Sequence, residues 1–402
     1  MSTTGHRSLV VSYTIDKISA EFRLSIDPGK GLTTAFRNNR TRVKKHLITV
    51  LRILVPAGIL AYLLWTIGSD PESAESVRQI FSSKTRWGNV AIGFGFALLA
   101  LSCTFIRWYL LVISVGIPFS LKDAFRLGFL GYMLNFVGLG GIGGDLFKGY
   151  VLAKDNPTKR PEAVSTIFMD RLIGLYALFM VTSLAALSLD LEGSQPAIRS
   201  MVYVVHGVTI GGFLGLSLVF LPSFAKGSFR EFLEDLPKVG GAFKRTFAAV
   251  GMYRRHPRYL VFIGLLSLGV HSFFSVAVYF LASGLFERHP SLLEMMVITP
   301  LAMVFAAIPL SPGGMGTLEL AVTELYVTVP AEEFSKANGI TVALGFRAMT
   351  IGLAFIGAIF YWTNRASVDQ SMAEANAEEE TLEHLAEGVD EPLERSQQPE
   401  PR

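Results

Sequence analysis

Apolar residues in this chain do not alternate with polar ones. They gather into long windows separated by short charged stretches. A helix that crosses a bilayer needs about 20 consecutive apolar residues. By that measure His46–Ile67, Asn89–Gly116, Ala163–Leu189, Met201–Leu221, Tyr259–Leu285, Leu292–Leu310 and Gly339–Trp362 read as spanning helices. Ala124–Gly144 is hydrophobic but crowded with glycine, and Thr317–Val329 is too short to cross comfortably. The pattern predicts an all-α polytopic integral membrane protein with about seven to nine hydrophobic segments.

Composition agrees. Half of the 402 residues are hydrophobic, 17% are charged, and mean hydropathy is +0.43. Soluble domains carry about 25% charged residues, so this chain is short of the charge needed to cover itself in water. The net charge of +3 gives no reason to expect nucleic acid as a partner. One cysteine, Cys103, excludes a disulfide framework, and the seven histidines show no metal-ligand spacing. No cofactor is expected. The opening residues lack the hydrophobic region of a signal peptide, so the first span is expected to act as an uncleaved signal-anchor.

Lysines and arginines in the loops set the expected orientation. Arg37, Arg40, Arg42, Lys44 and Lys45 precede the first span, and Pro222–Arg258 is rich in basic residues. Both are expected in the cytoplasm, in a protein of the cell membrane with a cytoplasmic N-terminus. Lys148, Lys154 and Lys159 form another basic stretch, which a crossing at Ala124–Gly144 would place outside. A re-entrant segment there removes the conflict, since irregular backbone at membrane depth is tolerated when protein or a cavity surrounds it. Residues 1–45 are expected to form a cytoplasmic segment, 46–365 the membrane domain, and 366–402, with eight carboxylates from Glu378 to Glu394, a solvated, disordered acidic tail.

Two Gly-rich breaks resemble each other. Gly143-Gly144-Asp145 is followed by Arg171, and Pro312-Gly313-Gly314-Met315-Gly316 leads to Glu319 and then Arg347. An internal repeat with broken helices is a frequent transporter plan. Charges inside a membrane helix are costly, so Arg107, Asp145, Asp170, Arg171, Glu319, Glu324 and Arg347 call for a reason. Arginine offers a planar fork of donors to a phosphate, and a Gly-rich break opening a helix offers free N–H groups. The same charges are also compatible with structural ion pairs, with Arg107 and Arg171 reaching back to the interface. Asn135 is a further candidate headgroup contact. His206 and His271 read as packing residues, and Trp65, Trp108 and Trp362 as an aromatic belt.

The ordered set Arg107-Trp108-Tyr109-Leu110-Leu111, Gly116, Gly131, Asn135, Gly143-Gly144-Asp145 and Asp170-Arg171, followed by Pro312-Gly313-Gly314-Met315-Gly316, Glu319 and Arg347, resembles the lysylphosphatidylglycerol synthase transmembrane (flippase-like) family. The resemblance covers about His46–Arg365. It implies movement of an anionic phospholipid or polyprenyl-phosphate-linked lipid between leaflets. Its binding residues would be Arg107, Asn135, Gly143, Gly144, Asp145, Lys148, Asp170, Arg171, Pro312, Gly313, Gly314, Gly316, Glu319 and Arg347. Lys148 stands where the family commonly has arginine, which keeps the charge and loses the fork. Members that synthesise aminoacyl lipids carry a soluble transferase domain after the membrane part. The acidic stretch found there in this sequence argues against lysyl transfer by these residues alone. A membrane-embedded transferase acting on a lipid phosphate, or a scaffold subunit, are the alternative expectations. Membrane lipids are the expected partners, with a membrane-protein partner or a second copy of the chain as further ones.

Overall fold

The computed structural model describes residues 61, 62, 65, 67–137, 143–189, 196–220, 231, 235, 251, 257–307, 314–363, 365, 366, 368–374 and 377. The described residues are mostly helical, with no strand among them. Five of their helices are long and apolar enough to cross a membrane. The expected first span, His46–Ile67, lies almost entirely outside the described residues.

The elements in chain order are α1 (Pro71–Gln79), α2 (Trp87–Ser114), α3 (Leu121–Val137), α4 (Gly144–Asp155), α5 (Arg160–Ala186), α6 (Pro196–Phe220), α7 (Pro257–Leu285), α8 (Leu292–Ala307), α9 (Thr317–Thr328) and α10 (Lys336–Thr363). The spans are α2, α5, α6, α7 and α10. At 1.5 Å per residue, the 28 residues of α2 extend about 42 Å, enough for a hydrocarbon core about 30 Å thick. α3 and α8, at 17 and 16 residues, reach only about 25 Å. α4 and α9, at 12 residues each, reach about 18 Å.

Of Leu292–Leu310, expected to be a spanning helix, the described part is α8, and residues 308–310 lie outside the described residues. The 16 described residues of α8 contain Pro300 and are fewer than a crossing needs. α8 is one arm of a hairpin with α9. The hairpin tip is close: the α-carbon substituent of Gly314 would meet the Ala306 carbonyl at 2.9 Å. α3 and α4 form a matching hairpin. Gly144 at the start of α4 abuts Gly131 of α3, and Phe147 packs with Leu130, Met133 and Leu134. The outer ends of α3 and α4 share a cavity lined by Asp123 and Asp155.

Side-chain pairings fix the directions of the long helices. Arg86 at the start of α2 donates its N–H to the Gly284 carbonyl at the end of α7, so these helices are antiparallel. Their seam holds Ala97, Ala100, Ala277 and Ala282, all fully buried, whose small size lets two backbones approach. Tyr176 of α5 reaches the Thr209 carbonyl of α6, and Ser183 meets His206 at 2.6 Å, again antiparallel. α1, capped by Asp70 through the Ser73 N–H at 3.0 Å, bonds to the start of α10 through Ser76 and Asn338. Following the chain, the α3–α4 hairpin enters from the end of the bundle where α2 finishes and α5 begins. The α8–α9 hairpin enters from the opposite end. Element lengths recur in order: 28, 17, 12 and 27 residues for α2 to α5, against 29, 16, 12 and 28 for α7 to α10.

The tail expected to be solvated from 366 begins differently. Helical turns continue to residue 374, and Val368 is 4% exposed against Leu130, Met133, Leu134 and Phe147. Tyr361 donates to Asp369 at 2.7 Å, while Glu374 accepts from Lys154 at 2.5 Å and Tyr150 at 3.2 Å. Two apolar side chains, Val368 and Met372, supply the burial that the acidic composition hid. The eight carboxylates from Glu378 to Glu394 lie outside the described residues. The Lys154 ammonium holds Glu374 below the ordinary carboxylate range, and Glu374 raises Lys154. A lowered acid stabilises the docked tail above its unfolded pKa and loses that contribution as pH falls through its folded value. A raised lysine loses its contribution as pH rises through its folded value. The tail contact is therefore expected to be flat across neutral pH, weakening below about pH 4 and above about pH 10. Hydrogen exchange of residues 368–374 across this range is the check.

Candidate functional site

Four charged side chains on α4 and α5 and one on α2 converge beside the α3–α4 hairpin. Arg107 on α2 is 4% exposed and donates from Nε to Asp170 on α5 at 2.8 Å. Its Nη1 reaches the Ser267 hydroxyl on α7 at 3.3 Å, so one guanidinium ties three spanning helices. An unpaired charge at this depth is costly, and the partner Asp170 offsets that cost. Arg107 therefore does not reach back to the interface. Its neighbour Trp108 is 1% exposed and donates to the Thr166 hydroxyl at 3.3 Å, which removes it from the expected aromatic belt. Trp65 and Trp362 are exposed on the outside, as a belt requires.

Asp145 is the second residue of α4 and takes two cations. Lys148, one turn on, meets it at 2.7 Å, and Arg171 of α5 pairs with its other oxygen. Acidic residues favour the first turn because free N–H groups and the helix dipole present positive charge there. Lys148 lies in the shelter of the Trp108 ring, 5.1 Å from its centroid. Asn135 on α3 accepts the Gly144 N–H at 2.8 Å, so this candidate headgroup contact is used to cap the hairpin. His271 joins the cluster's edge through the Gly174 carbonyl at 2.9 Å.

The second break is built on the same plan with different burial. Gly314 and Gly316 have φ of +63° and +83°, where a side chain would be strained. Glu319 in the first turn of α9 accepts the Gly316 N–H at 2.8 Å. Arg347 grips both oxygens of Glu319, with Nη2 to Oε2 at 3.1 Å, and donates to the Gly314 carbonyl at 2.9 Å. Arg171 is the twelfth residue of α5, and Arg347 is the twelfth of α10. The Arg347 guanidinium lies 5.8 Å from the Phe136 ring near the tip of the other hairpin, so the two breaks approach each other.

Of the sequence-derived candidates, Pro312 and Gly313 lie outside the described residues, as do Gly138–Ile142. Arg107, Asn135, Gly143, Gly144, Asp145, Lys148, Asp170 and Arg171 gather at the first break. Gly314, Gly316, Glu319 and Arg347 gather at the second. Glu324 does not join them; it pairs with Lys336 at 2.5 Å on the surface, nearly half exposed. Sequence reasoning missed Trp108, Thr166, Ser267 and Phe136. Trp108 had one available signal, its place next to Arg107. Among the described residues, no group of three or more His, Cys, Asp or Glu side chains is placed to hold a metal.

The sequence matches the family described as the lysylphosphatidylglycerol synthase TM region over residues 50–358. The chain belongs to that family. A search of curated proteins finds no match. The lysylphosphatidylglycerol synthase TM region thus includes both hairpins and every charged group of the two breaks.

Close packing at the first hairpin gives a test of this geometry. A methyl group on Gly144 would fall on the Gly131 carbonyl, and one on Gly131 would meet the Gly144 carbonyl at 2.9 Å. Gly144→Ala must part the hairpin arms, at about 1–3 kcal/mol. Among the described residues Gly143→Ala meets only Asn135 Oδ1, at 3.8 Å, and is expected within about 0.5 kcal/mol of the parent. Unfolding by denaturing detergent measures both.

Proposed function

We propose that this member of the lysylphosphatidylglycerol synthase TM region family moves a lipid with an anionic headgroup between leaflets. The lipid is a phospholipid or a polyprenyl-phosphate-linked lipid. One observation carries the reading. At the first break three cations, Arg107, Lys148 and Arg171, face two carboxylates, Asp145 and Asp170. Arg107 and Lys148 are buried, while the Arg171 side chain is 64% exposed in the middle of a spanning helix. A surplus positive charge held outward at that depth fits an anionic group passing it. Two short hairpins entering from opposite ends, each followed by a spanning helix with arginine as its twelfth residue, support a path that opens alternately to each side. The basic loops support a cytoplasmic side for the α3–α4 end.

Leaflet exchange of a labelled anionic lipid in proteoliposomes is the test. Wild-type protein is expected to speed exchange over protein-free vesicles. Exchange at the protein-free rate in vesicles that hold folded protein would remove the reading.

A further inference from the structure

A cavity of about 320 Å3 lies between the outer ends of α3 and α4, with the tail as one wall. Leu130, Phe147, Val151 and Val368 give it an apolar floor, and Arg126, Lys154 and Ser371 give it polar walls. Three observations point to a ligand. The Arg126 Nε is shielded and makes no hydrogen bond among the described residues, although a buried donor is normally satisfied. The Lys154 ammonium is held by a carboxylate from the chain's own tail, Glu374. The remaining acids, Asp123 and Asp155, stand at the same cavity, where they can accept from hydroxyls or an amine. Asp123 already accepts the Ser120 hydroxyl at 2.5 Å.

We propose that this cavity is an interfacial binding site for a phospholipid headgroup, whose phosphate takes Arg126 and Lys154 and displaces Glu374. The volume suits a phosphate with its attached glycerol, not acyl chains. Glu374 holds Lys154 as an internal anion. Phosphate is the stronger competitor because it offers more acceptor oxygens to both cations at once. Release of Glu374 loosens the wall formed by Val368 and Ser371. Anionic lipid at the surface would thereby open the outer end of the hairpin that carries Asp145 and Lys148.

Val368→Cys reports the wall, since residue 368 is 4% exposed in the docked tail and the native Cys103 is buried. The full chain is reconstituted in phosphatidylcholine vesicles with or without phosphatidylglycerol, and its modification by a soluble maleimide is timed. Phosphatidylglycerol is expected to raise the rate roughly two- to five-fold, the range for losing a surface ion pair. Glu374→Gln should raise the rate in phosphatidylcholine alone, and Arg126→Gln should remove the response to phosphatidylglycerol. Glycerol phosphate added to phosphatidylcholine vesicles separates the sources: acceleration there assigns the site to soluble anions as well as lipids. Equal rates with and without both anions, or a response that survives Arg126→Gln, would overturn the site. Ser371→Cys, on the same wall, repeats the measurement where Val368→Cys disturbs packing. The readout is independent of transport, so Arg171→Ala should keep this response even though it changes leaflet exchange.

Discussion

Replacing Glu319 with alanine is expected to destabilise the folded protein by about 3–5 kcal/mol, the cost of leaving one member of a buried ion pair uncompensated. The Glu319 side chain is 2% exposed and that of Arg347 9%. Glu319 also accepts the Gly316 N–H, so its loss frees a buried donor at the start of α9. Arg347 would keep the Gly314 carbonyl and the Phe136 ring but lose its carboxylate. Glu319→Gln retains an acceptor for Gly316 and should lose less. Glu319→Ala with Arg347→Ala should cost less than the two single changes added, by more than about 1 kcal/mol, because the orphaned charge is gone. Unfolding by denaturing detergent supplies all four numbers. A cost below about 1 kcal/mol for Glu319→Ala would show that the pair is not held as described. The Asp145–Arg171 pair makes the contrast: Arg171 is exposed, so most of that pair's strength is lost to its surroundings, whereas removing Asp145 would also leave the buried Lys148 without its partner.

Much of this arrangement was legible in the chain. A run of apolar residues long enough to cross a bilayer has few other structures open to it, so α2, α5, α6, α7 and α10 followed from length alone. The acid and arginine of each break also pointed to each other, because an intramembrane charge needs a partner. Leu292–Leu310 read as a span from hydropathy; its described part, Leu292–Ala307, has 16 residues. Trp108 misled as a belt residue. An amphipathic ring suits an interface or a buried polar cluster equally well, and only the fold brings Thr166 and Lys148 to it. The tail misled through its average composition. Two apolar side chains in an acidic stretch suffice to dock it once Lys154 and Tyr150 stand opposite Glu374. The partner choice of Arg107 was not legible at all, since Asp145 and Asp170 are both acids within the membrane domain. The fold selects Asp170, 63 residues away, by placing it on the facing side of α5.

The largest expected effect on activity is at Arg171. Arg171→Ala removes the exposed member of the first cluster and leaves the Asp145–Lys148 pair at 2.7 Å and the buried Arg107–Asp170 pair in place. Stability should change by less than about 1 kcal/mol, as for other exposed ion pairs. Transport of an anionic lipid should fall far more. A hydrogen bond to a charged group contributes about 1.5–3 kcal/mol, so a contact made with the headgroup in transit corresponds to a rate loss of roughly 10- to 100-fold. The surplus charge explains why the loss should be selective. Without Arg171 the cluster holds two cations and two carboxylates, and an anion gains nothing by approaching it. Arg171→Lys restores the charge without the planar fork and should recover part of the rate. Leaflet exchange measured with an anionic and a neutral lipid in the same vesicles separates these effects. Equal losses for both lipids would mean that Arg171 holds the hairpin in shape. A loss confined to the anionic lipid, partly restored by lysine, places the headgroup beside Arg171 during its crossing.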